Sequence, residues 1–110
     1  MIDEEKRIKL YLEALEKIAK YSENLTKSKF KEQDMVIDAI LRNIEVFGEV
    51  SRKLPDKFKD QHNYIPWRKI IGLRNIVLHE YSNVDLDIIW DVIKKNIPKT
   101  KIKEIYKSLF

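Results

Sequence analysis

The run Arg74-Asn75-Ile76-Val77-Leu78-His79-Glu80-Tyr81 holds the residues best suited to chemistry. It reads as an arginine, a histidine five positions on, and a tyrosine two further. A guanidinium is a permanent, planar positive fork that matches a phosphate. Imidazole exchanges a proton near neutral pH. Together the two could suffice for metal-free cleavage of RNA. His79 would take the proton of a ribose 2′-OH, the freed oxygen would attack the adjacent phosphorus, and Arg74 would stabilise the extra charge on the five-coordinate centre. The ends would be a 2′,3′-cyclic phosphate and a 5′-OH, and DNA, lacking the 2′-OH, would be inert.

Spacing alone leaves a plainer reading open. A single arginine on a helix is commonly a solvated charge, and a histidine at a helix C-terminus is favoured by the helix dipole. Five residues along a helix turn through about 500°, so Arg74 and His79 would point about 140° apart. The length of Arg74 eases this. A two-fold dimer with this helix near its axis would ease it further, by lining one cleft with both copies of each residue. Asn75, four residues before His79, shares its face.

Other candidates carry less. His62 falls in a polar stretch and reads as solvent-exposed. Trp67 and Trp90 read as core residues. Glu49 is a charge on a mostly apolar helix, either paired with an Arg or Lys inside a dimer or simply exposed. Two histidines and scattered carboxylates show no metal-ligand spacing, and no glycine-rich phosphate loop is present, so no metal or other cofactor is expected.

The elements that must position Arg74 and His79 are helical. Only two glycines and three prolines punctuate 110 residues, which disfavours an all-β fold. Asp3, Glu4 and Glu5 suit the start of a first helix, in which Ile8, Leu12, Leu15, Ile18 and Ala19 recur at helical steps. Thr26 or Ser28 can cap a second helix over about 29–53, carrying Phe30, Ile37, Ile40, Leu41, Ile44, Phe47 and Val50. Gly48 inside that helix implies a close approach of another helix. Pro55 ends it. Residues 55–65 read as an irregular surface loop. Pro66 opens a third helix reaching His79 or Glu80, Asp85 caps a fourth, and a short helix with Ile102, Ile105, Tyr106 and Leu109 follows Pro98. The expected fold is all-α: one domain over residues 1–110, an up-and-down bundle of four main helices plus a short C-terminal one. The second and third helices are apolar on more than one side, which suits a homodimer.

Composition sets the compartment and limits the partners. With 44% apolar and 36% charged residues the chain is globular. It has no cysteine, no signal-peptide pattern and no apolar run long enough for a membrane span, so a cytoplasmic location is expected. The net charge of +4 is uneven: residues 1–50 carry −2 and residues 51–110 carry +6. A basic C-terminal half fits a polyanion, but +4 is modest, and charge alone favours a solvated lysine-rich surface.

The segment Trp67-Arg68-Lys69-Ile70-Ile71-Gly72-Leu73-Arg74-Asn75-Ile76-Val77-Leu78-His79-Glu80-Tyr81, with Val84-Asp85 and Ile89-Trp90 after it, resembles the HepT-like family of HEPN domains. Phe47-Gly48-Glu49-Val50 resembles that family's Gly-Glu step on its second long helix, and Pro98 fits a proline beyond the next helix. The similarity runs from about residue 35 to about residue 100. It implies a helical homodimer and a ribonuclease toxin using Arg74 and His79, with Asn75 positioning the phosphate or the histidine. It also implies a partner, a minimal nucleotidyltransferase antitoxin of a type VII toxin–antitoxin system, which attaches AMP to Tyr81. Bulk and negative charge there would exclude an RNA phosphate. Taken alone, Tyr81 reads rather as a packing residue at a helix end. Two further functions compete: an inactive HEPN subunit that docks a nucleotidyltransferase, and a helical adaptor unrelated to RNA.

Overall fold

A computed structural model describes residues 4–63, 65–79, 84–96, 104 and 107. Its elements are helices: α1 (Glu4–Ser22), α2 (Lys27–Lys31), α3 (Asp34–Lys53), α4 (Asp56–Gln61), α5 (Trp67–His79) and α6 (Leu86–Asn96). The all-α expectation holds. The expected C-terminal helix lies almost wholly outside the described residues.

The centre is α3, which packs against α1 on one side and α5 on another. Periodicity explains both contacts. Tyr11, Leu12, Leu15, Ile18 and Ala19 of α1 are buried, as are Ile37, Ile40, Leu41, Ile44, Phe47 and Val50 of α3. From α5 the core receives Trp67, Ile70, Leu73 and Val77. Both tryptophans are buried, as the sequence implies.

Two sequence expectations need correction. The helix expected over 29–53 is broken at Glu32 and Gln33. Glu32 ends α2 by donating its N–H to the carbonyls of Lys29 and Phe30, and Gln33 leaves helical geometry at φ −111° and ψ 84°. Phe30 and Ile37 are seven residues apart, close to two full turns, so the apolar pattern passed over the break unmarked. What bends the chain is α6. Phe30 stacks on Trp90 at 5.2 Å, Lys27 pairs with Asp91 at 3.3 Å, and Lys31 pairs with Asp87 at 3.2 Å. Thr26 is the cap of α2, accepting from the N–H of Lys29 at 3.2 Å.

The stretch 55–65 is no irregular surface loop. It contains α4, and Phe58 and Ile65 are both buried. Trp67 holds it in place: its indole N–H is shared between the carbonyls of Lys59 and His62, each at 3.2 Å. His62, expected to be solvent-exposed, is half-buried with its ring 4.6 Å from that of Phe58. Burial pushes its pKa down.

The remaining helix ends follow local rules. Leu54 is extended before Pro55, as a residue preceding proline prefers. Pro66 stands just before α5, and its carbonyl accepts from the N–H of Ile70. Asp85 caps α6 through Oδ1, which accepts from the N–H groups of Asp87 and Ile88. Lys94 of α6 donates to the Ser22 carbonyl at 2.7 Å, satisfying the end of α1.

Gly48 sits where α3 meets α5. A Cβ at this position would overlap the Cβ of Arg74 and lie 2.8 Å from its Cγ. Gly72 differs, because a Cβ there would meet nothing within 4 Å. Gly48→Ala should therefore lower stability by about 1–3 kcal/mol through overpacking, whereas Gly72→Ala should raise it by up to about 1 kcal/mol through helix propensity. Urea titrations of the two variants check these opposite signs.

Candidate functional site

Arg74 is placed by the α3–α5 contact. The absent side chain at Gly48 lets the Arg74 stem lie against the backbone of α3. The next residue on α3, Glu49, then meets the guanidinium, with Arg74 Nη2 2.6 Å from Glu49 Oε2. That oxygen is shielded from solvent, and the contact is an ion pair without the alignment of a hydrogen bond. The other carboxylate oxygen, Oε1, accepts from Arg52 at 2.9 Å and pairs with Lys53 at 3.2 Å. Glu49 is thus neither simply exposed nor in need of a second chain, because its partners lie within this one.

Three cations around one carboxylate shift its titration. Hydrogen bonding from Arg52 holds the Glu49 carboxyl below the usual carboxylate range, with further help from Lys53 and from the charge of Arg74. Partial burial pulls the other way, second in size only to the Arg52 hydrogen bond, and the net shift is downward. The Arg74 side chain is 19% exposed, so this charge lies in the wall of the fold and not on a solvated face.

Asn75 turns back onto its neighbour. Its Oδ1 accepts from Arg74 Nη1 at 3.1 Å, so the guanidinium is held by both Glu49 and Asn75. His79 is exposed and is the last residue of α5. The helix is regular up to that point, so within one chain His79 faces away from Arg74 by the angle the spacing implies. Tyr81 lies outside the described residues.

Arg74 opens onto a groove of about 670 Å³ between α1, α3 and α5. Arg7, Arg42, Lys53 and Arg74 give it four cations against Glu45 and Glu49, while Leu10, Val46, Val50 and Leu78 form apolar walls. Leu10 and Leu78 are more than two-fifths exposed. A second, smaller groove lies between α5 and α6, where Ile76 and Ile88 are exposed. Helix α5 therefore presents apolar residues on two sides, as its sequence suggested. Among the described residues no group of His, Asp or Glu is clustered to hold a metal ion. No described helix is long and apolar enough to cross a membrane.

Sequence comparison decides the family. A family model described as "HepT-like: Ribonuclease HepT-like" matches residues 11–105. The chain belongs to the HepT-like ribonuclease family. Similar proteins include the "Gamma-glutamylcyclotransferase and putative RNase MJ0434" of Methanocaldococcus jannaschii, 39% identical over 108 residues. That match takes in 94% of this chain but only 48% of the relative, so the chain spans about half its length. "Putative RNase MJ1380" of the same organism is 31% identical over 94 residues, covering 86% of this chain and 85% of the relative. "Probable ribonuclease HepT" of Thermococcus cleftensis is 33% identical over 91 residues, covering 83% of each. No solved structure gives a significant match.

Reasoning from sequence missed the partner of Arg74 in this HepT-like chain. The signal was present in the Gly48-Glu49 pair: a glycine that admits a neighbouring helix puts the next side chain within reach of it.

The lowered Glu49 pKa sets a sign. A carboxyl depressed by folding contributes its full stability above the usual carboxylate range and loses it as pH falls through the folded value. Wild type should exceed Glu49→Gln in stability at neutral pH by about 1 kcal/mol or less, because the pair is partly solvent-screened. Urea midpoints of the two proteins should converge in strong acid, and a gap that survives there would contradict this account.

Proposed function

We propose that this HepT-like chain, taken as a single HEPN domain over residues 1–110, is a metal-independent endoribonuclease and the toxin of a type VII toxin–antitoxin pair. One observation carries the reading: a guanidinium, braced by Glu49 and Asn75 at the wall of a cationic groove, lies on the same helix as an exposed imidazole. Arg74 and His79 are the proposed catalytic residues, and Asn75 the residue that orients Arg74.

His79 takes the proton of a ribose 2′-OH. The 2′-oxygen bonds to phosphorus, the bond from phosphorus to the 5′-oxygen breaks, and that oxygen leaves with a proton taken from solvent, to which His79 later returns its own. Arg74 stabilises the charge that builds on the non-bridging oxygens. A guanidinium has more N–H donors than its contacts to Glu49 and Asn75 use, so donors remain for phosphate. No cofactor is needed.

A homodimer belongs to the same proposal. Within one chain Arg74 and His79 diverge, and a two-fold pairing across the groove would bring each toward its counterpart while covering Leu10 and Leu78. The proposed antitoxin is a minimal nucleotidyltransferase that attaches AMP at Tyr81, working in the cytoplasm with its toxin. Added negative charge near Arg74 would compete with the RNA phosphate.

The test uses the purified chain, with its mass first checked for an AMP adduct, incubated with cellular RNA in excess EDTA. Unmodified wild type should cut RNA to cyclic-phosphate ends, and Arg74→Ala and His79→Ala should each lose at least about 100-fold in rate. Equal inertness of all three would replace this reading with that of a docking subunit for the nucleotidyltransferase. Light scattering should return twice the chain mass, and a monomer would remove the shared cleft.

A further inference from the structure

We infer that Glu49 is a positioning residue for the cleavage reaction, holding the Arg74 guanidinium in the orientation that receives the phosphate. The inference rests on the nuclease reading and deepens it.

Arg74 is a long side chain whose stem is pinned and whose head would otherwise be free to swing. Its Cβ, Cγ and Cδ all lie against the position of Gly48, which fixes the base of the chain. Glu49 then takes one edge of the head at Nη2, and Asn75 takes Nη1. Glu49 is itself immobilised, because its second oxygen is engaged by Arg52 and Lys53 from the following turn of α3. The order of control runs from the α3 backbone to the Glu49 carboxylate to the guanidinium.

Charge gives a second reason. An arginine with only 19% of its side chain exposed loses hydration and needs an anion when no RNA is bound. A carboxylate in that place neutralises Arg74 in the free protein, yet the Glu49 cluster of Arg52, Lys53 and Arg74 still carries more positive charge than negative. Phosphate therefore meets an oriented cation in a net-positive setting. Orientation of this kind acts on the transition state, where a displacement of about 1 Å can slow a reaction about 100-fold. It should leave binding of the RNA chain nearly unchanged.

Glu49→Gln keeps the size and acceptor but removes the charge, and Glu49→Asp keeps the charge on a shorter arm. Both are compared with wild type by kinetics on a short RNA in EDTA, by melting, and by 15N NMR of the Arg74 guanidinium. The expected result is a kcat lowered roughly 10- to 100-fold in Glu49→Gln with KM changed less than about 3-fold. Glu49→Asp should recover part of kcat. The Arg74 Nη signals, separate in wild type, should merge in Glu49→Gln as the head rotates freely. A Glu49→Gln protein with wild-type kcat per folded molecule overturns the inference, as does one that only melts earlier. If wild type itself fails to cut RNA, the nuclease reading falls. The Arg74 signals still decide the positioning, and identical signals in wild type and Glu49→Gln reject it.

Discussion

The approach of α5 to α3 at Gly48 is the constraint on which the rest of the site depends. Two helices can come this close only where one of them lacks a side chain, and here the space is taken by the stem of Arg74. Once the stem is fixed, its charged head must end at the groove wall with little access to water. A buried or half-buried cation of this kind needs a counter-charge, and Glu49, one residue beyond the glycine, supplies it. Packing and electrostatics are therefore one arrangement: the glycine sets the distance and the glutamate answers the charge that the distance brings in.

The other helices act as a frame for that contact. Helix α1 packs along another side of α3 and forms the far wall of the groove through Arg7 and Leu10. Helix α6 is fastened in its middle, by Phe30 against Trp90 near α2, and in its last turn, by Lys94 on the Ser22 carbonyl. The ion pairs of α2 with α6 are about half exposed and add little by themselves, so the aromatic contact carries most of the weight. Lys94 also lies 4.7 Å from the Trp90 ring centre, and partial burial pushes its pKa down.

Much of this architecture is legible in the sequence because it is governed by local periodicity. The buried faces of α1, α3, α5 and α6 follow steps of three and four residues, and Asp85 caps where a capping residue stands. The readings that failed are those in which a distant contact overrode a local pattern. Phe30 keeps the phase of a continuous helix, yet Trp90 draws it into a separate one. Residues 55–65 look polar, yet Phe58, Ile65 and the carbonyls held by Trp67 anchor them to the core.

For the site the division is similar. By itself, the sequence determined the helical class, the family to which the chain belongs and the placing of Arg74, Asn75 and His79 along one helix, because spacing on a helix is a local property. Only the tertiary structure decided that Glu49 and Arg74 are partners within one chain and that Asn75 turns toward the guanidinium. The first of these depends on how closely two helices, 25 residues apart in sequence at the Glu49–Arg74 pair, approach one another. No periodicity within either helix encodes that distance, since it is set where the side chain missing at Gly48 meets the stem of Arg74.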